Sequence, residues 1–451
     1  MAGDSIWGNR FSDFLLRDQK LRFELSWSLR LEYAALVAKP PSLERHLLSS
    51  SSDDCLRVWT QKLREYLDSL GRPKRLFIFV NPYGGKKSAS KIFVNDVKPL
   101  LDDANVEYTI QETKHRSHAK EVVQSLDLAK YDGIVCVSGD GILVEVLNGL
   151  LVRRDWDSAI RIPLGVVPAG TGNGTVKSLL DSRGQPCSPF NATLAIIGGH
   201  KCSLDVATIS QGDTRFFSLL MLAWGLVADI DIESEIYRWM GSARLDFYAL
   251  QRIFGLRSYN GSINFVPAPG YESYGEPLDL EKEVIVEGES QMTSDDGPVS
   301  TWEYGYRGPK VDMKSLNWRK IDGPFVSIWL HNVPWGGENT LAAPDAEFSD
   351  GCLDLVMIKD CPKCSLLKLM TGLNDGSHVK SPYVSYLKVK AFILQPGTRT
   401  NDPTKGGIID VDGEVLARGR GVYKWEEKSL MSYDKLIIKV DQGLATLFAP
   451  N

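Results

Sequence analysis

Between residues 74 and 205 the chain alternates between two hydrophobic periods. Apolar runs of strand length fall at residues 75–80, 106–112, 133–137, 162–167 and 203–209. Stretches with apolar residues three and four apart lie between them, at 88–103, 117–128, 143–153 and 191–197. This alternation predicts a doubly wound α/β domain with a mostly parallel sheet. Ahead of it, Leu56, Trp59, Leu63, Tyr66, Leu67 and Leu70 recur at helical spacing. Gly71 and Pro73 stop that pattern. An amphipathic helix is therefore predicted over 55–70, within an N-terminal extension of residues 1–73.

After residue 209 the character changes. Residues 216–228 are densely apolar, and one helical stretch runs from 232 to about 256. Strand-like segments separated by turns then fall at 261–266, 283–287, 325–330, 352–359, 386–394, 407–411 and 435–439. They predict a second, mostly antiparallel β-sandwich domain over 206–451. Residues 288–317 are polar and glycine-containing and are expected to form a mobile insert.

A chain of 451 residues can hold two such cores. Its formal net charge of −5 argues against a nucleic-acid partner, which selects a basic balance. The N-terminus lacks a basic region followed by an apolar run, so no secretory leader is expected. The apolar stretch 216–227 is too short to span a bilayer. Seven cysteines, odd in number and scattered, imply free thiols in a reducing, cytoplasmic setting. Cys361-Pro362-Lys363-Cys364 has metal-like spacing but no second pair nearby, and reads as a turn.

The chemistry concentrates in three glycine turns, each placed after a strand of the first domain. They are Asn81-Pro82-Tyr83-Gly84-Gly85-Lys86-Lys87, Ser138-Gly139-Asp140-Gly141, and Pro168-Ala169-Gly170-Thr171-Gly172-Asn173-Gly174. Glycines let a backbone approach phosphate closely, and a helix N-terminus favours anions. Asp140 sits at the carboxyl end of a buried-type strand, where open α/β sheets bind ligands. Each turn alone is compatible with an ordinary strand–helix connection, and Asp140 alone with a helix cap. Three in succession in one domain point to a phosphate site.

The three turns, with Glu145 and Asn148-Gly149, resemble the diacylglycerol kinase catalytic domain. That superfamily includes sphingosine and ceramide kinases and, more distantly, NAD kinases. The resemblance implies transfer of the γ-phosphate of ATP to a hydroxyl, with Asp140 as general base. It also implies a nucleotide cradle of Asn81, Gly84, Gly85, Lys86, Ser138, Gly139, Gly141, Gly170, Thr171, Gly172 and Asn173. Leu222-Ala223-Trp224-Gly225 through Tyr237-Arg238, with Gly241 and Arg244, resembles sphingosine kinases in particular. By that resemblance Asp231 binds the amine of a sphingosine or phytosphingosine-type long-chain base, and Ser138, Ala223 and Asp229 lie by the substrate. Thr113, Glu145, Glu235, Arg238 and Arg244 are then expected at the nucleotide. So is the returning segment Asp412-Gly413-Glu414, and acidic groups there suit Mg²⁺, although the metal's ligands stay unassigned. Two positions depart from the family: Ser88 replaces a second lysine in the first turn, and Met221 stands where a serine is frequent.

The resemblance spans about 74–267 and 322–449. It implies peripheral contact with membranes, endomembrane or vacuolar for a plant-type member. Residues 244–257 interleave apolar side chains with Arg252 and Arg257, a pattern of interfacial helices, of calmodulin-type targets or other regulator sites, and of core helices alike. Oligomeric state is not legible. The rival readings are a diacylglycerol or ceramide kinase, whose substrates lack a free amine, and a non-catalytic lipid-binding regulator on a kinase fold.

Overall fold

The computed structural model describes residues 71–85, 87–278 and 304–451. The helix predicted over 55–70, the strand predicted over 283–287 and Lys86 lie outside the described residues. The first layer is a parallel sheet of β1 (Arg75–Val80), β2 (Glu107–Glu112), β3 (Gly133–Ser138) and β4 (Leu164–Pro168), in the order β2-β1-β3-β4. β3 is buried along its whole length, as its unbroken apolar run demands. Connections run through α1 (residues 89–103, with a π-helical stretch Phe93–Val97), α2 (His118–Ser125) and α3 (Asp140–Leu151). The step from β1 to β2 moves one way along the sheet, and the steps to β3 and β4 move the other way. Right-handed crossovers therefore put α1 on one face and α2 and α3 on the opposite one. The reversal between β1 and β3 opens a crevice at their carboxyl ends. The first two glycine turns sit there.

α4 (Gly174–Asp181) and α5 (Pro189–Gly198) complete this layer. Ser188 caps α5 by accepting the Asn191 N–H, and Gly199 ends it at a φ of 74°. The sequence pattern missed α4, because its start is hidden in the third glycine turn.

The second layer is the expected mostly antiparallel sandwich. It holds β5 (Lys201–Gln211), β6 (Thr214–Ser218), β7 (Met221–Gly225), β8 (Tyr259–Pro267), β9 (Glu276–Pro277), β10 (Arg319–Asp322) and β11 (Ser327–His331). A small ribbon of β12 (Trp335–Gly337) and β13 (Thr340–Leu341) follows, then β14 (Leu353–Ile358), β15 (Ser385–Arg399), β16 (Ile408–Val411), β17 (Glu414–Arg418) and β18 (Leu436–Phe448). One ladder runs β17-β16-β7-β11-β14-β15. β15 pairs with β14 through its first residues and with β8 and β18 further on, so it turns the corner of the sandwich. Trp224, Phe265, Phe325 and Phe392 fill the interior.

The stretch expected as one helix over 232–256 is three elements. α6 (Leu226–Glu233) leads into a 3₁₀ segment, Ser234–Met240; Gly241 breaks the path at a φ of 64°, and α7 (Ala243–Phe254) follows. α8 (Lys363–Thr371) contains the second cysteine of the Cys361–Cys364 pair, and both thiols are free. Residues 304–317, expected within the mobile insert, are packed down. The Tyr306 N–H donates to the Leu151 carbonyl at 2.7 Å, its ring stacks near Trp156, its hydroxyl donates to Asp441, and Met313 is buried.

β18 ties the layers together. It pairs antiparallel with β5 along most of its length, then meets β4 in parallel at Leu447. A bulge between Asp441 and Ala445 allows this, with Gly443 at a φ of 63° and its N–H donating to Asp205 at 2.6 Å. Asn148 of α3 makes the other join: its side chain accepts the Phe217 N–H at 3.1 Å and donates to the Phe217 carbonyl at 2.7 Å. Asn148→Ala would leave both buried backbone groups of Phe217 unpaired. It is expected to cost about 2–4 kcal/mol of stability, read as a lowered urea midpoint with unchanged slope.

Candidate active site

The three glycine turns converge. A Cβ on Gly170 would lie 2.4 Å from Gly139 Cα, and one on Gly85 would lie 2.9 Å from the Gly170 carbonyl carbon. A Cβ on Gly139 would meet the Gly172 carbonyl oxygen at 2.8 Å. No side chain fits at these positions, so bare backbone from three strand ends packs into one surface. Local polar groups set each turn. Asn81 Oδ1 accepts the Tyr83 N–H at 3.0 Å, and the Ser138 hydroxyl donates to the Gly139 carbonyl at 2.7 Å. Asn173 accepts the Gly170 N–H at 3.1 Å and donates to Glu338 of the second layer at 2.6 Å.

Asp140 is buried at the centre. Its Oδ2 accepts the Gly174 N–H at 2.8 Å and its Oδ1 accepts the Thr175 N–H at 3.1 Å. It thus caps α4, thirty-four residues away, not the helix that it begins. Each oxygen keeps a lone pair beyond the amide it accepts. Burial raises its pKa, and the two amides oppose that rise only in part. Asp140 is a carboxylate held in place and made more basic than usual. On its far side α4 is gripped by the second layer: Ser178 accepts the Trp335 N–H, and Asp181 accepts from the Trp335 indole, both at 3.0 Å.

A second cluster forms where α6 meets the β16–β17 turn. Asp231 lies beside that turn, 4.0 Å from where a Cβ of Gly413 would stand. Its side chain keeps about 25% of its surface exposed, enough to meet a ligand. Arg244 lies 3.5 Å from its carboxylate and donates to its backbone carbonyl at 2.9 Å. Glu414 pairs with Arg116, and Glu145, Glu235 and Arg238 lie near enough to act on its charge. Glu235 and Arg238 pair at 2.8 Å, with Arg238 largely exposed. Burial raises the pKa of both Glu145 and Glu414. Glu145 also accepts the Ser117 and Ala119 N–H groups at 2.8 and 3.1 Å, fixing the start of α2.

Several expected residues are placed differently. Asp229 lies two residues, about 200° of helix, from Asp231. It is buried on the other face against Tyr259 Oη at 2.5 Å and Arg257 at 3.1 Å, and burial pushes its pKa up to about 6. It belongs to an internal ion-pair network in which Arg257 also meets Glu233 at 2.8 Å. Asp412 is spent on structure: it accepts the Ser218 hydroxyl and the N–H groups of Leu219, Leu220 and Met221, all between 2.8 and 3.1 Å. Thr113 is buried behind the first turn, its N–H on the Val80 carbonyl. Met221 turns its sulfur to the Trp329 indole N–H at 2.7 Å. Among the described residues no three His, Cys, Asp or Glu side chains form a metal-holding group. Residues not foreseen are Gly174 and Thr175 as the amides that Asp140 holds, Arg116 as the partner of Glu414, and Asp410 beside Asp231.

Residues 75–209 match the diacylglycerol kinase catalytic domain family, and residues 309–424 match the YegS C-terminal NAD kinase beta sandwich-like domain. Sphingosine kinase 1 of Arabidopsis thaliana is 64% identical over 401 residues, covering 88% of this chain and 80% of that protein. Sphingosine kinase 1 of Homo sapiens is 31% identical over 359 residues, covering 77% and 87% respectively. A solved diacylglycerol kinase from Bacillus anthracis superposes with a TM-score of 0.50 at 16% identity, covering 84% of this chain and 97% of that one, and so speaks to the fold. The junction of the turns can be tested directly. Gly170→Ala is expected to cost about 1–3 kcal/mol, because its methyl meets backbone, and to abolish any nucleotide-induced rise in melting temperature.

Proposed function

The chain belongs to the sphingosine kinase family, and from that premise we propose how its site performs ATP-dependent lipid phosphorylation on a long-chain base. The protein is a lipid kinase. The acceptor is proposed to be the primary hydroxyl of sphingosine or a related base, and the product its 1-phosphate. The observation that carries this reading is the buried Asp140 carboxylate fixed at the junction of three bare-backbone turns. The nucleotide phosphates would lie on those turns and at the start of α4, where amides and the helix dipole favour anions. Asp140 would accept the hydroxyl proton as the new oxygen–phosphorus bond forms and ADP leaves. Most of the acceleration would come from positioning and charge neutralisation.

Asp231 would hold the substrate ammonium. Its exposed edge and the adjacent β16–β17 turn support this role, with Arg244 orienting it. A diacylglycerol or ceramide head offers no ammonium, so it would cover Asp231 with nothing to replace the water lost from its exposed edge, a cost of several kcal/mol. Mg²⁺ would supply charge neutralisation at the phosphates. The described residues form no closed metal cage, which suits an ion that arrives coordinated by ATP.

Peripheral membrane contact is proposed through the region around α7. Ile236, Trp239, Phe247, Leu250 and Phe254 are exposed there, Trp239 to 82% and Phe254 to 70%, while Ala249 and Ile253 face inward. Arg252 and Arg257, expected to interleave with this face, turn in to Glu233 instead. The contact would therefore be apolar, and a calmodulin-type reading loses those two cations. No described helix is long and apolar enough to cross a membrane.

Asp140→Asn is expected to lower kcat by about 10²–10⁴ while the protein stays folded, since the amide oxygen still accepts one of the two N–H groups. Unchanged turnover would remove the base. Asp231→Asn is expected to raise KM for sphingosine at least tenfold with KM for ATP kept. Joint replacement of Trp239 and Phe254 by serine is expected to reduce sedimentation with lipid vesicles about tenfold or more, with turnover on detergent-solubilised substrate retained.

A further inference from the structure

Asp410 stands out among the buried carboxylates. It is fully buried in β16, and neither of its oxygens has a hydrogen-bond donor. The other buried acids near the site have structural uses. Asp140 caps α4, Asp412 gathers four donors, and Asp229 binds Tyr259 and Arg257. An undonated carboxyl of this kind costs several kcal/mol unless it is paired, and β16 gains nothing from it. Its neighbours Ile409 and Val411 point into the sandwich. Asp410 points the other way, across from Ala223 on β7 and toward Asp231 on α6. Asp231 reaches to within 4.0 Å of where a Cβ of Gly413 would stand, three residues on from Asp410, and the two carboxyls act on each other's charge. Two ionised carboxylates have nothing to donate, so a hydrogen bond between them takes one shared proton. Asp231 is the exposed member and Asp410 the covered one.

We propose that Asp410 is the second carboxylate of the amine site: it shares one proton with Asp231 when the site is empty, and the pair binds the substrate ammonium by releasing that proton to solvent. The inference rests on the reading of Asp231 given above. The ammonium then donates N–H bonds to both carboxylates, and its charge replaces the proton between them. The surrounding charges fit this exchange. Burial and the closeness of Asp231 push the pKa of Asp410 well up, with Asp412 and Glu414 of the adjoining turn adding to the effect. Arg244 favours ionisation of Asp231 while Glu235 opposes it. Arg244 lies 3.5 Å from the Asp231 carboxylate, and it also donates to the Asp231 carbonyl and Ser234. A head without an ammonium would have to bury the pair with its proton still in place, so Asp410 acts as a specificity-determining residue for charged heads.

The test is Asp410→Asn, whose amide donates permanently to Asp231 and cannot release a proton. Sphingosine in detergent micelles is the probe, with wild type and variant compared at each pH from 5.5 to 7.5 so that its own titration cancels. KM for sphingosine is expected to rise about 10–100-fold with KM for ATP unchanged. The variant-to-wild-type ratio is expected to grow with pH, because only wild type loses the proton. Calorimetry in buffers of different ionisation enthalpy is expected to show proton release on sphingosine binding to wild type and none with the variant. The melting temperature is expected at or above that of wild type, which separates the effect from misfolding. If Asp231→Asn raises KM while Asp410→Asn leaves KM and proton release unchanged, Asp410 has no such role and the amine site stands on Asp231 alone. If Asp231→Asn has no effect, the reading of the amine site falls, and this inference with it.

Discussion

Two backbone amides at the start of α4 need acceptors, and a carboxylate from the start of α3 provides them. That contact between Asp140 and the amides of Gly174 and Thr175 fixes the geometry of the whole site. It joins the second glycine turn, after β3, to the third, after β4, beside the crevice between β1 and β3. Because both ends are backbone or a two-torsion side chain, there is little slack. Burial makes Asp140 more basic, and the same two amides hold that rise back in part. Position and proton affinity are therefore set at one place, which is why a buried acid is tolerated at the mouth of the sheet.

The same device recurs across the molecule. Glu145 holds the amides that begin α2, Asp412 holds the loop between β6 and β7, and Asp205 holds the amides of Gly351 and Gly443. Asp140 fixes another glycine turn, while Asp412 and Asp205 fix backbone elsewhere in the second layer. The two layers are held in register by the bonds of Asn148 to Phe217, by the bond of Asn173 to Glu338 and by an apolar cluster that spans both. Burial pushes the pKa of Asp205 and of Asp412 up to about 6, so these joins carry an electrostatic cost that their several donors offset.

Much of this was legible in the chain. β1 and β3 announce themselves as unbroken apolar runs, and the three glycine turns name the crevice. α4 was not legible, because the signal for its start is Asp140, far away in sequence, while its first residues, Gly174, Thr175 and Val176, are weak helix formers. The elements α6, the 3₁₀ segment and α7 share one apolar period, so the break at Gly241 vanished into a single predicted helix. The roles of Asp229 and Asp231 could not be separated by spacing, since two residues on a helix are enough to face opposite sides. In Ile409-Asp410-Val411-Asp412 the strand period placed both acids on one face, but which would find donors depended on the loop at 218–221. Only the folded sheet decides that.

The path of β18 has a consequence for how the protein comes into being. Its residue Leu447 borders β4, whose own strand ends at Pro168. Nearly three hundred residues must leave the ribosome before that edge of the first sheet is covered. Until then the nascent chain displays an open, apolar strand edge beside an unfinished nucleotide crevice. Such non-local closure is slow and exposes the chain to mispairing. The first sheet is therefore completed only when nearly the whole chain has been made.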